Sequence, residues 1–231
     1  MVWNPPGSTS ATTSGGGSGD KPHFEKIMTV QAGALENYAQ AHRAGGTDMY
    51  LAVARMMTDY FNGFLSSPDG GFYTSQDADV GAHDKTVPFV DGNDYFCLSD
   101  KERRKLAMPR IDTNVYAREN GLAISAFLKM YAASQDEAVL QRALQAADVT
   151  VEQFGNGRGG FSHAAGQKDG LQYLADNAAF GKALVDCYEA TGKARYLSRA
   201  KETASFMLKE LASPDGYGFF ANTADPKAVG D

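Results

Sequence analysis

The sequence predicts an all-α fold made of at least three stacked helical hairpins. Apolar residues recur every three or four positions along most of the chain after Ile27, which is the period of an amphipathic helix. A unit of two such helices followed by a glycine-aromatic loop returns at fixed intervals, which is typical of repeat architectures. With 231 residues, 43% of them hydrophobic, the chain can bury a substantial core as one domain.

Charge and hydropathy exclude two classes of partner. The formal net charge is −6, which is the wrong sign for a nucleic-acid-binding surface or for attachment to an anionic membrane. No apolar run approaches the ~20 residues of a membrane span, and the N-terminal region lacks the apolar segment of a secretory signal. We therefore expect no nucleic acid and no membrane as partner, and a cytoplasmic location.

The N-terminal residues 1–21 differ in composition from the rest of the chain. They are rich in Gly, Ser, Thr and Pro, and they offer too little apolar surface to offset the entropy lost on ordering. We predict a disordered tail there and a folded domain over residues 22–231.

The first hairpin follows this tail. Its first helix is predicted over residues 27–44 and stops at Gly45-Gly46, and its second helix is predicted over residues 48–65. A loop containing proline and glycine then ends in Gly71-Phe72-Tyr73.

The same two-helix unit recurs twice. An offset of 146 residues maps the first hairpin onto the third, and an offset of 89 maps it onto the second. The second hairpin is predicted at residues 115–133 and 137–153, and the third at residues 173–190 and 194–211. The loop returns as Gly159-Gly160-Phe161 and, after a one-residue insertion, as Gly218-Phe219.

An insertion over residues 74–114 separates the first two hairpins. Within it, residues 94–98 are predicted to form a short strand because all of them except Asp94 are aromatic or apolar. The segment Ser99-Asp100-Lys101-Glu102 has the pattern of a capping box and predicts a short helix.

The inner faces of such hairpins determine the architecture. A hairpin cannot cover its inner face alone, so successive hairpins are expected to pack side by side, in an open solenoid or in a closed α/α toroid. In a toroid, the loops at one end of the inner helices surround a central cavity in which a ligand can bind. We expect part of a toroid, with the insertion and the glycine-aromatic loops at the mouth of the cavity.

Acidic and basic side chains cluster at the hairpin ends. His23 and Glu25 precede the first helix, and Asp77 and Asp79 follow the first loop. Carboxyl groups near a histidine suit acid–base catalysis, because neighbouring charges shift their pKa values apart. The alternative is structural: the aspartates shape a loop through backbone hydrogen bonds, and Glu25 favours a helix N-terminus.

A second set of candidates lies where the inner helices of the second and third hairpins begin, and in the loops beside them. Charged and amide side chains there would be available to a hydroxylated ligand such as a sugar. Two structural alternatives remain open, namely a solvated first helical turn and an Asp or Asn that caps the third inner helix. The residues predicted to bind ligand are Tyr73, Arg118, Glu119, Asn120, His163 and Asp176.

Several types of site have no support in the sequence. The four histidines are far apart and lack a second ligand at helical spacing, so no metal site is predicted. No G-x-S-x-G elbow for a nucleophilic serine is present, and we predict no cofactor. Cys97 and Cys187 have neither redox nor zinc-site spacing, so both are expected to be reduced and buried.

Five short motifs, in this order, resemble one family. They are Pro22-His23-Phe24-Glu25-Lys26, Gly71-Phe72-Tyr73, Asp77-Ala78-Asp79, Pro109-Arg110-Ile111-Asp112 and Asn120-Gly121. Together they resemble the YyaL / spermatogenesis-associated protein 20-like (thioredoxin-domain-containing) proteins, over about residues 22–225. That family joins an N-terminal thioredoxin-like domain to a six-hairpin α/α barrel similar to those of N-acylglucosamine 2-epimerases and six-hairpin glycosidases.

This resemblance implies a carbohydrate-related domain, with two departures. Only the C-terminal barrel part has a counterpart here, about three of its hairpins, so no redox activity is implied. The family's Tyr-Asp after the first motif is Thr29-Val30, and its Ser-Trp-Asn-Gly is Arg118-Glu119-Asn120-Gly121. A carboxylate and an aromatic ring are therefore missing from the expected cavity.

Two functional hypotheses follow. In the first, the domain binds a sugar or another polar small molecule and, if it is an enzyme, acts as a sugar epimerase, an isomerase or a glycosidase-like protein. The predicted catalytic residues are then His23, Glu25, Asp77 and Asp79. In the second, the chain is a non-catalytic interaction module or a fragment of a larger protein, because three hairpins do not complete a six-hairpin ring. Its open faces would then pair with a second copy or with a partner half-barrel.

Overall fold

The computed structural model describes residues 12–13 and 22–225. In that part of the chain, the helices are α1 (Met28–Arg43), α2 (Asp48–Phe64), α3 (Gly92–Cys97), α4 (Asp100–Arg103), α5 (Ala117–Ser134), α6 (Glu137–Phe154), α7 (Leu174–Thr191) and α8 (Ala194–Glu210). The strands are β1 (Thr12–Thr13), β2 (Pro22–His23), β3 (Lys26–Ile27), β4 (Ser75–Gln76) and β5 (Ile111–Asp112). None of the described helices is long and apolar enough to cross a bilayer. The predicted disordered tail lies outside the described residues except for β1, which pairs with β2.

The six long helices form three hairpins, α1–α2, α5–α6 and α7–α8, which stack side by side. The inner helices α1, α5 and α7 are neighbours, and α5 packs against both of the others. Each outer helix packs against its own inner helix. This confirms the predicted all-α stack of hairpins, with predicted helix limits that differ from the observed ones by at most two residues.

A continuous core lies between the inner and the outer helices. Phe61, Phe72 and Phe127 are fully buried, with ring centroids 5.1–5.9 Å apart, so the first glycine-phenylalanine loop is fixed between α2 and α5. Phe161 and Phe180 make the corresponding contact at 4.4 Å between the second loop and α7. Each of these two loops therefore inserts its phenylalanine beneath the next inner helix.

The insertion between the first two hairpins is anchored by a small antiparallel sheet of order β3–β4–β5. The buried side chains of its own small core are Val80, Tyr95 and Phe96. The predicted strand over residues 94–98 is wrong, because α3 covers most of this segment. A short apolar run fits either a strand or a buried helical turn. Asp91 favours the helix, since its carboxylate caps α3 by accepting from the Asn93 amide at 2.9 Å.

Two further predictions concern α4 and the cysteines. The capping box is confirmed at α4, where the Ser99 hydroxyl accepts from the Glu102 amide and the Glu102 carboxylate accepts from the Ser99 amide. The prediction that both cysteines are buried holds for Cys187 and is wrong for Cys97, which is exposed. Cys97 is the last residue of α3, and the aromatic residues Tyr95 and Phe96 occupy the buried side of that short helix.

Candidate functional site

The three inner helices begin at the same end of the stack as the glycine-phenylalanine loops. In each hairpin, the carbonyl two residues after the loop phenylalanine accepts a hydrogen bond from the first amide of the inner helix. The pairs are Met28 to Thr74 (2.9 Å), Ala117 to His163 (3.0 Å) and Leu174 to Ala221 (2.8 Å). These bonds bring loop side chains to the helix N-termini, where the helix dipole is positive.

A buried carboxylate and a half-exposed histidine meet where α5 and α7 begin. The Asp176 side chain is only 2% exposed, and its carboxylate lies 3.0 Å from His163 Nδ1. The same carboxylate accepts a hydrogen bond from the Arg118 backbone amide at 3.1 Å. Asp176 therefore links α7 to the start of α5 and fixes the orientation of the imidazole ring.

Two tyrosines hold the His163 ring from the sides. The Tyr116 ring stacks on it with centroids 4.2 Å apart, and the Tyr173 ring meets it edge-on at 5.4 Å. With Nδ1 directed at Asp176, Nε2 is the remaining polar atom of the ring, and no described residue bonds to it. The ring is thus held rigidly with one nitrogen available.

Glu119 is the second acid of this site. Its residue is 9% exposed, its Oε1 lies 3.8 Å from the Arg118 guanidinium, and its buried Oε2 has no hydrogen-bonding partner among the described residues. Burial raises the pKa of the Glu119 carboxyl, Asp176 raises it further, and Arg118 and His163 oppose the change. Burial likewise raises the pKa of Asp176, against the effects of His163 and Arg118. Both acids therefore hold their protons to higher pH than exposed carboxyls do.

The residue after each of these acids has a structural function. The Asn120 amide accepts from the Phe72 amide at 2.8 Å and donates to the Phe72 and Tyr116 carbonyls at 3.1 and 2.9 Å. Asn177 makes the same three contacts with Phe161 and Tyr173. Because every hydrogen-bonding group of the Asn120 amide is used and the residue is fully buried, we assign Asn120 to holding the loop rather than to ligand binding.

Arginines on the next outer helix cover the same loops. Arg142 donates to the Gly70 and Gly71 carbonyls at 2.7 and 2.9 Å, and its guanidinium carbon lies 3.8 Å from the Phe72 ring centroid. Arg199 does the same at Gly159 and Gly160, with its guanidinium 4.3 Å from the Phe161 ring. Bidentate donation with stacking is a geometry that arginine provides and lysine does not.

Sequence reasoning missed these arginines and the two tyrosines, although a signal for them exists. The offsets of 146 and 89 differ by 57, which is the spacing of the second and third hairpins. That spacing maps Tyr116, Glu119, Asn120 and Arg142 onto Tyr173, Asp176, Asn177 and Arg199. Reading this third offset would have shown that an acid precedes the loop-holding Asn in both inner helices.

The other predicted catalytic residues lie before α1 and in the insertion. His23 Nε2 lies 3.1 Å from Glu25 Oε2, and both side chains are half-exposed. The Asp77 carboxylate accepts from the Ala78 amide and lies 3.1 Å from His83. The contacts of Asp77 thus fit the structural alternative, in which this aspartate shapes its loop through a backbone hydrogen bond. The catalytic role of the residues before α1 and in the insertion stays a prediction.

Asp79 and Tyr73 are also placed near this end of the stack. Asp79 accepts from the Gly92 amide at 2.7 Å and so holds the insertion. Tyr73 is half-buried against the main core. Pairing of β3 with β4 brings residues 23–25 and 77–79 to neighbouring strand ends, but no hydrogen bond or ion pair joins these two groups in the described part of the chain.

No metal centre is found within the described ranges, where no group of three or more His, Cys, Asp or Glu side chains could hold an ion. The polar centre around His163 contains the carboxyl groups of Glu119 and Asp176 and the Arg118 guanidinium. Arg118, whose side chain is 48% exposed, is its outermost charged member.

Comparison with known proteins agrees with this architecture. Spermatogenesis-associated protein 20 from Homo sapiens is 41% identical over 58 residues, which are 25% of this chain and 7% of that protein. A sugar epimerase from a ruminal bacterium has a similar structure, with a TM-score of 0.64 at 16% identity, over 90% of this chain and 50% of the epimerase. The unsaturated glucuronyl hydrolase of Bacillus sp. GL1, which is responsible for glycosaminoglycan degradation, gives a TM-score of 0.62 at 15% identity, over 88% of this chain and 52% of the hydrolase.

These matches confirm the resemblance to spermatogenesis-associated protein 20-like proteins and the α/α toroid. The chain spans about half the length of the two solved structures and a small part of the curated relative. The family model of Glycosyl Hydrolase Family 88 matches residues 94–229, which include α5 to α8 and the centre around His163. The chain therefore belongs to Glycosyl Hydrolase Family 88, as a carbohydrate-related α/α-toroid domain.

Proposed function

We propose that the centre formed by Glu119, His163 and Asp176 binds a sugar and transfers protons on it, with epimerisation or isomerisation as the leading reaction. The observation that supports this most directly is the buried Asp176 carboxylate oriented on His163, beside a second acid with an unpartnered buried oxygen. Similarity of fold to a sugar epimerase is consistent with it.

His163 is the base in this proposal. A carboxylate on Nδ1 favours the tautomer with the proton on that nitrogen, so Nε2 carries the free lone pair. The same carboxylate stabilises the imidazolium that forms once Nε2 takes a proton from the carbon next to a sugar carbonyl. Loss of that proton, with protonation of the carbonyl oxygen, gives an enediol. Isomerisation follows when the His163 imidazolium returns the proton to the former carbonyl carbon and a hydroxyl proton of the enediol passes back to the acid. Epimerisation follows when the enediol turns relative to His163, so that the proton returns to the original carbon from the opposite face and the acid takes back the proton on oxygen.

Glu119 is the acid. Burial raises the pKa of its carboxyl group, which favours the protonated form that can give a proton to the carbonyl oxygen as the enediol forms. Tyr173 and the Arg118 side chain are exposed at the same place and offer an aromatic face and hydrogen-bond donors for sugar hydroxyl groups.

Glycosidic bond cleavage is a second candidate, supported by the family match and by the presence of two carboxyl groups with raised pKa values. An acid that protonates the leaving oxygen and a carboxylate that activates water are the usual requirements of that reaction. The two candidates differ in what happens to the substrate, since only the first exchanges a carbon-bound proton.

Titration calorimetry against a panel of monosaccharides and disaccharides tests binding, and incubation of each ligand in D2O with NMR detection tests the chemistry. We expect heat of binding for at least one sugar and deuterium at the carbon beside its carbonyl. New reducing ends without deuterium would favour cleavage instead.

Substitutions at the site complete this test. Asp176→Asn and Glu119→Gln should each lower the exchange rate at least ~100-fold, whereas Glu152→Gln, at an exposed position on α6, should leave it unchanged. Absence of heat, deuterium and cleavage for every sugar in the unsubstituted protein would reject both candidates.

A further inference from the structure

A separate cavity lies at the end of the inner helices opposite to the centre around His163. Its volume is about 320 Å³, and it lies between the C-terminal turns of α1, α5 and α7. The helix α5 is 18 residues long, so at ~1.5 Å per residue its two ends are about 27 Å apart. A small ligand in this cavity therefore does not reach Glu119, His163 or Asp176, and the site is distinct from the proposed sugar site.

The lining of this cavity combines apolar and charged side chains. Leu128, Ala132 and Ala190 provide apolar contact surface, and Leu128 is only 4% exposed. The charged residues of the lining are Arg43, Lys129, Asp186 and Glu189. Ligand cavities in proteins start at roughly 300 Å³, so this volume suits a molecule with few atoms that carries both a charge and an apolar part.

The buried acid of the cavity is already neutralised. The Asp186 side chain is 8% exposed, and its Oδ2 accepts from Lys182 Nζ at 2.7 Å. Its Oδ1 accepts from Lys129 Nζ at the longer distance of 3.4 Å. An ammonium group has three N–H donors, so Lys129 keeps donors for a further group in the cavity.

Two opposite charges of the lining have no partner. Neither the Arg43 nor the Glu189 side chain forms a hydrogen bond or an ion pair within the described part of the chain, although both line this cavity. Arg43 is the last residue of α1, and Glu189 lies in the last turn of α7. A molecule with a carboxylate and an ammonium group bridges them, because its carboxylate pairs with Arg43 and Lys129 while its ammonium group pairs with Glu189.

The residue after α5 gives independent support. Gln135 caps α5 in the left-handed conformation with a φ of 55°, and it is the one non-glycine residue with positive φ in the described ranges. Gly192 takes the same conformation after α7, so the backbone alone favours glycine here. Gln135 Nε2 donates to the Ala132 carbonyl at 3.2 Å, and no described donor bonds to its Oε1. The strained residue thus adds one free acceptor to the cavity.

We propose that this cavity is a binding site for a small apolar α-amino acid. The carboxylate of the ligand is held by Arg43 and Lys129, and its ammonium group by Glu189 and Gln135 Oε1. The C-terminal ends of the helices, where the dipole is negative, favour the ammonium group as well. The apolar side chain of the ligand packs against Leu128 and its alanine neighbours. A simple anion fits less well, because it gains nothing from Glu189 or from the helix ends.

Titration calorimetry with L-leucine as the probe tests the proposal. We expect heat of binding with a dissociation constant below ~1 mM. N-acetyl-L-leucine lacks the ammonium charge and L-leucinamide lacks the carboxylate, so each should bind at least ~10-fold more weakly. No heat with L-leucine up to ~10 mM, or equal affinity for either blocked compound, would overturn the proposal.

Exposed substitutions locate the binding site. Arg43→Gln and Glu189→Gln should each weaken L-leucine binding at least ~10-fold. The matched variants Arg55→Gln and Glu152→Gln remove the same charges at exposed positions on α2 and α6, and they should leave the affinity unchanged. Equal affinity in all four variants would place the ligand elsewhere and contradict the proposal. Circular dichroism checks that the variants are folded.

Gln135→Gly separates ligand binding from helix capping. Glycine adopts positive φ without strain, so the urea midpoint should not fall, whereas L-leucine should bind more weakly because the Oε1 acceptor is lost. A lower midpoint with unchanged affinity would assign Gln135 to capping alone, and its role in the proposed site would then be wrong.

Discussion

At the scale of single residues, the main feature is that two carboxylic acids are buried, although burial disfavours the charged form of a carboxyl group. Glu119 and Asp176 occupy corresponding positions in the first turns of α5 and α7, and burial raises the pKa of each. Asp176 is compensated by His163 and by a backbone amide, whereas one oxygen of Glu119 has no partner among the described residues. A buried carboxylate oxygen without a partner costs free energy, which is typical of functional positions.

The pH dependence of stability tests the burial of Glu119. Its folded pKa lies above the unfolded one, so the folded state binds the proton more tightly, and ionisation destabilises the fold as pH rises above the ordinary value. Glu119→Gln removes this penalty. We expect the free energy of unfolding of the variant, relative to the unsubstituted chain, to improve in urea titrations as pH rises above the ordinary pKa of a glutamic acid. The exposed Glu152→Gln should show a flat difference, and a flat difference for Glu119→Gln too would contradict the assigned burial.

At the scale of helices and loops, stability depends on contacts that one hairpin makes with the loop of the one before it. An Asn from the inner helix and an Arg from the outer helix satisfy the backbone of each buried loop. Without them, amides and carbonyls in the core would lack partners, which is costly away from water. The hairpin that follows each of the first two loops therefore stabilises it in its buried position.

Asn177→Ala measures this contribution. The substitution leaves the Phe161 amide and carbonyl without their partner inside the core, so we expect a loss of about 2 kcal/mol or more in the free energy of unfolding. Asn37→Ala, at an exposed position on α1, should change it by less than about 0.5 kcal/mol. Urea denaturation followed by circular dichroism gives both values, and similar losses for the two variants would show that the Asn177 contacts contribute little.

At the scale of the whole molecule, the site exists because α5 and α7 approach closely. Gly121 permits this approach, since a Cβ there would lie 2.7 Å from the backbone of Ala179 and Phe180. The same approach places Asp176 within hydrogen-bonding distance of His163 and the Arg118 amide. The packing of α7 on α5 thus also brings the Asp176 carboxylate and the His163 ring together.

Gly121→Ala should therefore affect both stability and binding. We expect a loss of about 1–3 kcal/mol, because α7 must move away from α5, together with weaker binding of any sugar that the unsubstituted chain binds. The matched variant Gly33→Ala lies inside α1 with no atom within 4 Å of the added Cβ, and it should gain about 0.5–1 kcal/mol from helix propensity. Thermal denaturation and calorimetry measure the two effects, and a neutral Gly121→Ala would show that the helices are not in tight contact.

The local sequence determined the elements of this protein. Helical period, capping box and glycine-containing loops depend on residues a few positions apart, so the hairpins and their limits could be read directly, and the spacing of the repeats predicted how they stack. The short segment around Phe96 was misassigned because a few apolar residues have no distinguishing period, and the resulting exposure of Cys97 was missed with it.

The sequence by itself also identified both acids, the histidine and the arginine near the starts of the inner helices as candidate ligand-binding residues. It did not show which of them act together. Arg118 and Asp176 are 58 residues apart, and Asn120 and Phe72 are 48 apart, yet each pair shares a hydrogen bond. Whether an Asp caps a helix, holds a loop or orients a histidine depends on the groups that other hairpins bring to it. Only the tertiary structure decided those roles, because burial and hydrogen-bonding partners, which set the pKa and the availability of a side chain, are properties of the packed hairpins.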